Sequence, residues 1–522
     1  MTFFKLQALS LISSAAARYA WPDPKYEAIE QLRWDQRGYG STALFTPCDT
    51  FIGGTQTGRS NSADWVRAAY HDAATYNAED GTGGLDASIR FEEEQQRAEN
   101  VGTGFANTFF FVNLIANRYV TYADGLAAAA TIMIENCGGP VIDYRGGRVD
   151  ATEPNKPGVP EPQQSLEEHV ASFKKQGFNK TEMIGLVACG HSFGGVQHSS
   201  FPDLVPELND PANTESNARF DTTFRVFDNA VATEYIKGTT QNPLVVGSND
   251  TLNSDKRIFG SDGNATMAAL AADPEHFART CATLIAKMLD TVPRGVRLTD
   301  VITPIPVKPY DVQISYNANG TLNFIGGNVR LWNVAENPNR VVRGVVTDKN
   351  GVALKPVVLS HSSFQIGTAA GERFTSTWYT WPTLPAMDAA ASIAKFHYEI
   401  DEGDGTPVRV ADQDGLGFPM RDDVLFSETS CNYDSTGFPR PWRFDVAVRK
   451  GLNASRIFLQ TYSLPTLTLE PMLREVGSGS YDLWSADVLP ENDGIWTVSY
   501  QIEGMTIDVP GKHRIMLIDC PA

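Results

Sequence analysis

Basic residues are scarce in this chain. Forty-three Lys and Arg stand against 62 Asp and Glu over 522 residues, a formal charge of −19. Nucleic acid binding needs a basic footprint, so that deficit argues against it. Long apolar runs are missing too: after the N-terminus nothing approaches the ~20 residues that cross a bilayer. Six cysteines (Cys48, Cys137, Cys189, Cys281, Cys431 and Cys520) form no CxxC pair, which removes the common zinc frameworks. No internal repeat or low-complexity tract interrupts a globular composition.

What is present divides the chain. At 522 residues it is too long for one ordinary core, and two or three domains are expected. Lys5, an apolar stretch through Leu11 and Ile12, and Ala15-Ala16-Ala17-Arg18-Tyr19-Ala20 read as a signal peptide over 1–20. Sequons at Asn179, Asn249, Asn264, Asn319 and Asn453 join it in favouring a secreted, extracellular, disulfide-bonded glycoprotein. Asp64 to Ala74, Thr103 to Tyr119, Ala123 to Glu135, Ser165 to Lys175, Lys180 to Cys189 and Asp273 to Leu289 read as helices. With Pro293, Pro304, Pro306 and Pro309, residues 292–310 read as an extended linker. Beyond it Val312, Ile314 and Tyr316 alternate, then Asn317-Ala-Asn319-Gly320, then Leu322 and Phe324, a hairpin signature. Trp496, Val498, Tyr500 and Ile502 alternate again. The expected fold is multidomain: a mainly α-helical domain over 21–291, the linker, and an all-β region over 311–522 of one or two sandwiches, with Cys431 and Cys520 as a candidate tie.

Two histidines carry the chemistry. His71 lies in Arg67-Ala-Ala-Tyr70-His71-Asp72 and His191 in Leu186-Val-Ala-Cys-Gly-His191-Ser192. Arg67 and His71 are four apart, so on a helix both leave the same face. Alone, such a pair is more often a solvated surface pair, and a His after an apolar run more often a helix-end residue. Together they supply the parts that reductive cleavage of hydrogen peroxide at haem iron requires. His71 would be base and then acid, and Arg67 a fixed positive charge at the breaking O–O bond. Asn100 would accept the other ring N–H of His71 and fix its tautomer. His191 would be the axial ligand, with Asp262 in Phe259-Gly-Ser-Asp262-Gly as the carboxylate behind it.

These motifs resemble the plant, fungal and bacterial haem peroxidase superfamily, most closely its secreted fungal branch, over about 45–290. The family's Arg-x-x-aromatic-His-Asp is matched by Arg67, Tyr70, His71 and Asp72. Gly83-Gly84-Leu-Asp86-Ala-Ser88-Ile89 is similar to its distal calcium loop, and Gly138-Gly139-Pro140 with Arg145-Gly-Gly-Arg148-Val-Asp150 to the stretch before its proximal half. The resemblance implies haem b and two Ca²⁺ ions. The first ion would use Asp72, the Gly84 carbonyl, Asp86 and Ser88; the second Ser192, Asp221, Thr223, the Val226 carbonyl and Asp228, all hard oxygen donors. It implies a Cys48–Cys137 disulfide and leaves Cys189 and Cys281 either paired or free.

Departures from the family narrow the donor. Phe220 falls where the family can carry Trp beside the proximal ligand, so the second oxidising equivalent would rest on the porphyrin. Tyr70 replaces a Phe or Trp, which admits a tyrosyl radical or a changed distal hydrogen bond. The surface Trp of lignin-oxidising relatives falls at Leu186. Of the carboxylates of a manganese site only Asp64 stands, with Ser60 and Gln197 at the other positions. The expectation is a monomeric oxidoreductase that reduces hydrogen peroxide by two electrons and oxidises small aromatic, phenolic donors. The competing reading makes the chain a wall-associated binding protein, with Trp378, Tyr379, Trp381, Trp442 and Trp484 of the β half stacking on polysaccharide, although such aromatics are more often sandwich core.

Overall fold

The computed structural model describes residues 19–35, 48–52, 54–55, 57–366, 373–433, 442–460, 467–471, 479–488, 497–509 and 518–520. Most of the expected signal peptide therefore lies outside the described residues, as do Trp496 and the side chain of Trp442.

The chain is multidomain, with helices first and strands after. In chain order the helices are α1 (Pro24–Trp34), α2 (Asn61–Ala73), α3 (Glu92–Gln95), α4 (Gly104–Ile115), α5 (Tyr122–Asn136), α6 (Leu166–Lys175) and α7 (Lys180–Gly190). They continue with α8 (Ala230–Lys237), α9 (Pro243–Val246), α10 (Ser254–Phe259), α11 (Ala265–Ala272) and α12 (Pro274–Leu289). Local chemistry starts them where it should. Ser60 Oγ accepts from Ala63 N ahead of α2, and Ser165 with Glu168 and Asn179 with Glu182 form capping boxes before α6 and α7. The helix expected to run to Tyr119 stops at Ile115. Asn117 ends it, because its side-chain oxygen accepts from Tyr119 N and Val120 N and rewards a turn.

The helical core centres on α5 against α2. Ala68 and Ala69 on one and Ala127 and Ala128 on the other are fully buried, so small side chains let the axes close up. That close approach leaves the long residues of α2 to serve its other faces. Cys48–Cys137 ties the approach to α2 to the end of α5, and Cys189–Cys281 ties α7 to α12.

The described residues of the β half form two large apolar cores. Strands Val307–Tyr310, Asn328–Trp332, Thr375–Thr380 and Ser360–Ile366 form one antiparallel sheet; Lys395–Asp401 and Val341–Thr347 centre another. Both contribute to a core holding Val329, Leu331, Phe396 and Tyr398. The expected hairpin is present, Gln313–Tyr316 pairing with Leu322–Ile325 in register Tyr316↔Leu322. It joins an eight-stranded sheet through a parallel pairing of Gln313–Tyr316 with Val424–Ser427. In that sheet Trp442–Arg449 turns Phe444, Val446 and Val448 to the second core and Ala447 to the first, so successive side chains are buried on both faces. Arg456–Gln460 and Thr497–Ile502 close the second core. Cys431–Cys520 is a disulfide.

The Pro-rich stretch is not a free spacer. Arg294 N, Thr299 N and Ile302 N donate to Gly81 O, Gly146 O and Tyr144 O at 2.7, 2.9 and 2.8 Å. Ile302 and Ile305 are buried, and from Val307 the chain is already strand. α1 joins the halves. Its Ile29 and Leu32 enter the helical core, while Glu30 pairs with Lys308 Nζ (2.6 Å) and with Arg330, all three inaccessible to solvent. Trp34 meets Trp332 and Phe374 edge-on at 5.5 and 5.8 Å. Trp21, just ahead of α1, meets Phe396 and Phe418 in the first β core at 5.4 and 5.8 Å.

Candidate active site

On α2, Arg67 and His71 share a face, as their spacing requires. Phe105 of α4 lies against both: its ring centroid is 5.0 Å from that of His71 and 4.6 Å from the Arg67 guanidinium carbon. Arg67 Nη2 donates to Val101 O at 3.0 Å. Burial lowers the Arg67 pKa to about 10, which still leaves it charged at neutral pH.

His71 Nδ1 is 2.6 Å from Asn100 Oδ1. The Asn100 amide is oriented independently, because Nδ2 donates to Glu94 O at 2.7 Å. Oδ1 must therefore face the imidazole as an acceptor, His71 Nδ1 carries the proton, and Nε2 is the basic nitrogen. Burial first, then the Arg67 charge, pushes the His71 pKa down to about 3; the Asn100 bond offsets only part of this.

His191 caps the C-terminus of α7. Its Nδ1 is 2.8 Å from Asp255 Oδ2, on α10, and Asn242 Nδ2 donates to the same oxygen at 2.8 Å. Phe220 stacks on the His191 ring at 4.2 Å and 13°. The carboxylate behind His191 is thus Asp255, and the assignment to Asp262 is corrected. Asp262 Oδ2 instead accepts from Thr266 N and Oγ1 at 3.0 and 2.6 Å, securing the start of α11. The reason is helical phase. Asp255, Ile258 and Phe259 are buried together on α10, three and four residues apart, and that face packs on α7. An acid one turn ahead of a buried apolar pair was the available signal.

Tyr70 points elsewhere on α2. Its ring lies 6.2 Å from that of Phe173 on α6, and burial raises its pKa above the normal tyrosine range. Leu186 is buried. Asp64 is held by the Arg59 fork, Nε at 3.1 and Nη2 at 3.0 Å, so the one carboxylate at the manganese position already has a cation.

Among the described residues no group of three or more His, Cys, Asp or Glu side chains is arranged to hold a metal. The oxygen sets suggested for calcium combine two carboxylates with hydroxyl and carbonyl oxygens; the structure brings together Asp72, Asp86 and Ser88 of the first and Asp221, Thr223 and Asp228 of the second. Asp72, Asp86 and Ser88 are buried, with Ser88 Oγ 3.4 Å from Asp72 Oδ1 and Ser88 N donating to Asp86 Oδ1 at 3.1 Å. Burial and Asp86 raise the Asp72 pKa well above the usual carboxylate range. In the second set Thr223 Oγ1 is 2.9 Å from Asp228 Oδ1 and 3.4 Å from Asp221 Oδ1. Burial, Asp228 and Glu234 together raise Asp221 to about 7, and its Oδ2 is buried without a hydrogen bond. Ser192 is buried, its hydroxyl donating to Cys189 O at 3.0 Å.

In the β half Trp378, Tyr379 and Trp381 are core residues at 0, 2 and 6% exposure, and Trp484 packs partly buried on the second core. A surface cleft of about 690 Å³ lined by Tyr235, Val246 and Lys256 includes none of the residues of either histidine site.

Residues 52–273 match the family model described as Peroxidase, and that stretch is a peroxidase domain of the plant, fungal and bacterial superfamily. Among curated relatives, a WSC domain-containing protein of Arthroderma benhamiae is 34% identical over 396 residues, 74% of this chain and 54% of the relative. At that coverage the match runs past the peroxidase domain into the β half. L-ascorbate peroxidase 5, peroxisomal, of Arabidopsis thaliana is 30% identical over 193 residues, 37% of this chain and 64% of its own length. A protein of Aspergillus fumigatus named for heme-binding peroxidase is 33% identical over 154 residues, 28% of this chain and 47% of its own. The chain therefore spans between about half and two thirds of these relatives.

Proposed function

We propose that this chain is a secreted haem peroxidase, reducing hydrogen peroxide by two electrons and oxidising small phenolic donors. The observation that carries the reading is that His71 and His191 each commit Nδ1 to a buried, oriented partner, Asn100 and Asp255. Each is left with Nε2 for chemistry, one as a base beside a guanidinium and one as a ligand backed by a carboxylate. That donor set fits haem, as the peroxidase domain and the heme-binding peroxidases among the relatives also suggest.

Haem, held through His191 Nε2, would supply the redox-active iron. The protein does the rest. His71 Nε2 takes a proton from peroxide and returns it to the departing oxygen. Arg67, fixed by Val101 O and Phe105, stabilises the negative charge on that oxygen. Asp255 accepts from His191 Nδ1–H, which keeps the ligand ring oriented and electron-rich. Phe220 provides an apolar face to that ring with no oxidisable N–H.

Two calcium ions belong to the proposal, because each oxygen set gathers like charges around at least one buried carboxylate, which a hard cation would neutralise. Secretion is supported by the three disulfides; among the described residues no helix is long and apolar enough to cross a membrane. The polysaccharide-binding alternative rests on the β half alone, and its described candidate aromatics are mainly packing residues.

The test is stopped-flow absorbance of the haem-loaded protein mixed with one equivalent of hydrogen peroxide, beside His71→Ala. The wild type should lose Soret intensity rapidly, and the variant at least ~100-fold more slowly. An unchanged Soret band in both proteins would reduce the chain to a haem binder without peroxide chemistry.

A further inference from the structure

The loop between Val149 and Leu166 has neither helix nor strand, yet one of its side chains sits among the oxygens of the distal set. Asn155 Nδ2 lies 2.9 and 3.0 Å from Asp86 Oδ1 and Oδ2, 2.9 Å from Ser88 Oγ and 3.2 Å from Thr75 Oγ1. An amide nitrogen has two hydrogens and satisfies at most two of these four oxygens. Four oxygens around one amide group, with Asp72, Asp86 and Glu94 all buried, are more acceptor and more charge than a neutral donor serves, and they suit neighbours in the shell of a cation. Charge makes the same case. Among the described residues neither Asp72 nor Asp86 has an ion pair; Arg90 spends its guanidinium on Ala87 O and Ala151 O, and Arg97 stands 3.9 Å from Glu94 Oε2. Glu94 Oε2 is buried without a hydrogen bond, while Glu94 Oε1 accepts from Asn155 N.

We propose that Asn155 is a ligand of the distal calcium ion, its amide turned over so that Oδ1 joins Asp86, Ser88 and Asp72 as an oxygen donor. The half-turn exchanges groups of nearly equal size and keeps the backbone bond to Glu94. This rests on the calcium reading above. It makes the ion the point at which the loop over 150–165 is fastened to α2, in addition to being a prop for α2 itself.

Calorimetric titration of the EDTA-stripped full chain with CaCl₂ tests it, using wild type, Asn155→Ala, Asn155→Asp, Asp86→Asn and Asp221→Asn. The wild type should bind two ions. Asn155→Ala should weaken one of them at least tenfold, the same one that Asp86→Asn removes, and leave the one that depends on Asp221. Asn155→Asp, which replaces the amide by a charged oxygen donor, should bind that ion at least as tightly as wild type; it answers the question if the alanine variant does not fold. Two ions bound by Asn155→Ala at wild-type affinity would overturn the proposal, as would weaker binding by Asn155→Asp. One ion in the wild type, lost in Asp221→Asn and kept in Asp86→Asn, would mean that the Asn155 amide itself fills the distal position. No calcium bound by wild type would sink the calcium reading with it.

Discussion

His71 shows how far a single residue's surroundings set its chemistry. A histidine in water titrates near 6.5, but burial beside the Arg67 charge lowers this one to about 3. The folded state therefore keeps it neutral through the acid range in which the unfolded chain takes up a proton. The sign follows: its contribution to stability is full above pH ~6.5 and is lost as pH falls toward 3. For the reaction, the base stays available over the same range. The second-order rate of peroxide reaction should be flat from pH 8 to about 4 when followed by stopped flow. A fall with a midpoint near 6 would show that the imidazole is not held neutral. Most of this site was legible in the sequence because Arg67 and His71 share one helix, where spacing fixes direction, and Asn100 follows in the next loops. Tyr70 was legible as an anomaly only. Its ring goes to Phe173 and the sequence does not say which way an α2 side chain of that phase will turn.

At the scale of elements, α10 and α11 divide two aspartates that look alike in sequence. Asp255 is on the packed face of α10 and reaches His191; Asp262 is in the turn after it and serves α11. Substitution should separate them. Asp255→Asn removes the anion behind the ligand, so the ferric–ferrous reduction potential of the haem-loaded protein should rise. Asp262→Ala should leave that potential unchanged and lower the melting temperature, through the loss of about 1 kcal/mol typical of a helix start stripped of its side-chain acceptor. Equal potentials in wild type and Asp255→Asn, measured by redox titration, would return the assignment to Asp262. The sequence misled here for a definite reason. Helix existence and phase follow from residue pattern, but which helix docks on α7 is a long-range packing result. The same limit explains the β half. Alternation identified strands such as Gln313–Tyr316, while the number of cores depended on Trp442–Arg449 being covered on both faces.

For the whole molecule the decisive residues are in α1. Glu30 holds Lys308 and Arg330 where no solvent reaches, so the two halves share one buried ionic knot. Arg118 Nη2 to Asp508 Oδ1 (2.9 Å) and Arg373 Nη2 to Gly139 O (2.7 Å) join them at two further places. Removing the anion strands two buried cations, a loss of roughly 3–5 kcal/mol. Wild type should melt in one calorimetric transition, and Glu30→Gln should melt lower, with the helical and β halves separating into two transitions. Two transitions already present in wild type would mean that the halves are thermodynamically independent. None of this was legible from composition, since prolines at 293, 304, 306 and 309 are equally compatible with a free spacer and with the docked strap that the structure contains.

Trp21 has a consequence in time as well as in space. A chain leaves the ribosome from its N-terminus, and the aromatic partners of Trp21, Phe396 and Phe418, are synthesised hundreds of residues later. The segment that begins α1 must therefore wait, with its indole exposed, until synthesis has passed Phe418, about midway through the β half. The peroxidase domain can gather its own helices early, yet the segment ahead of α1 is set only when those β partners exist, and that delay is when the nascent protein is most open to chaperones and to misassociation.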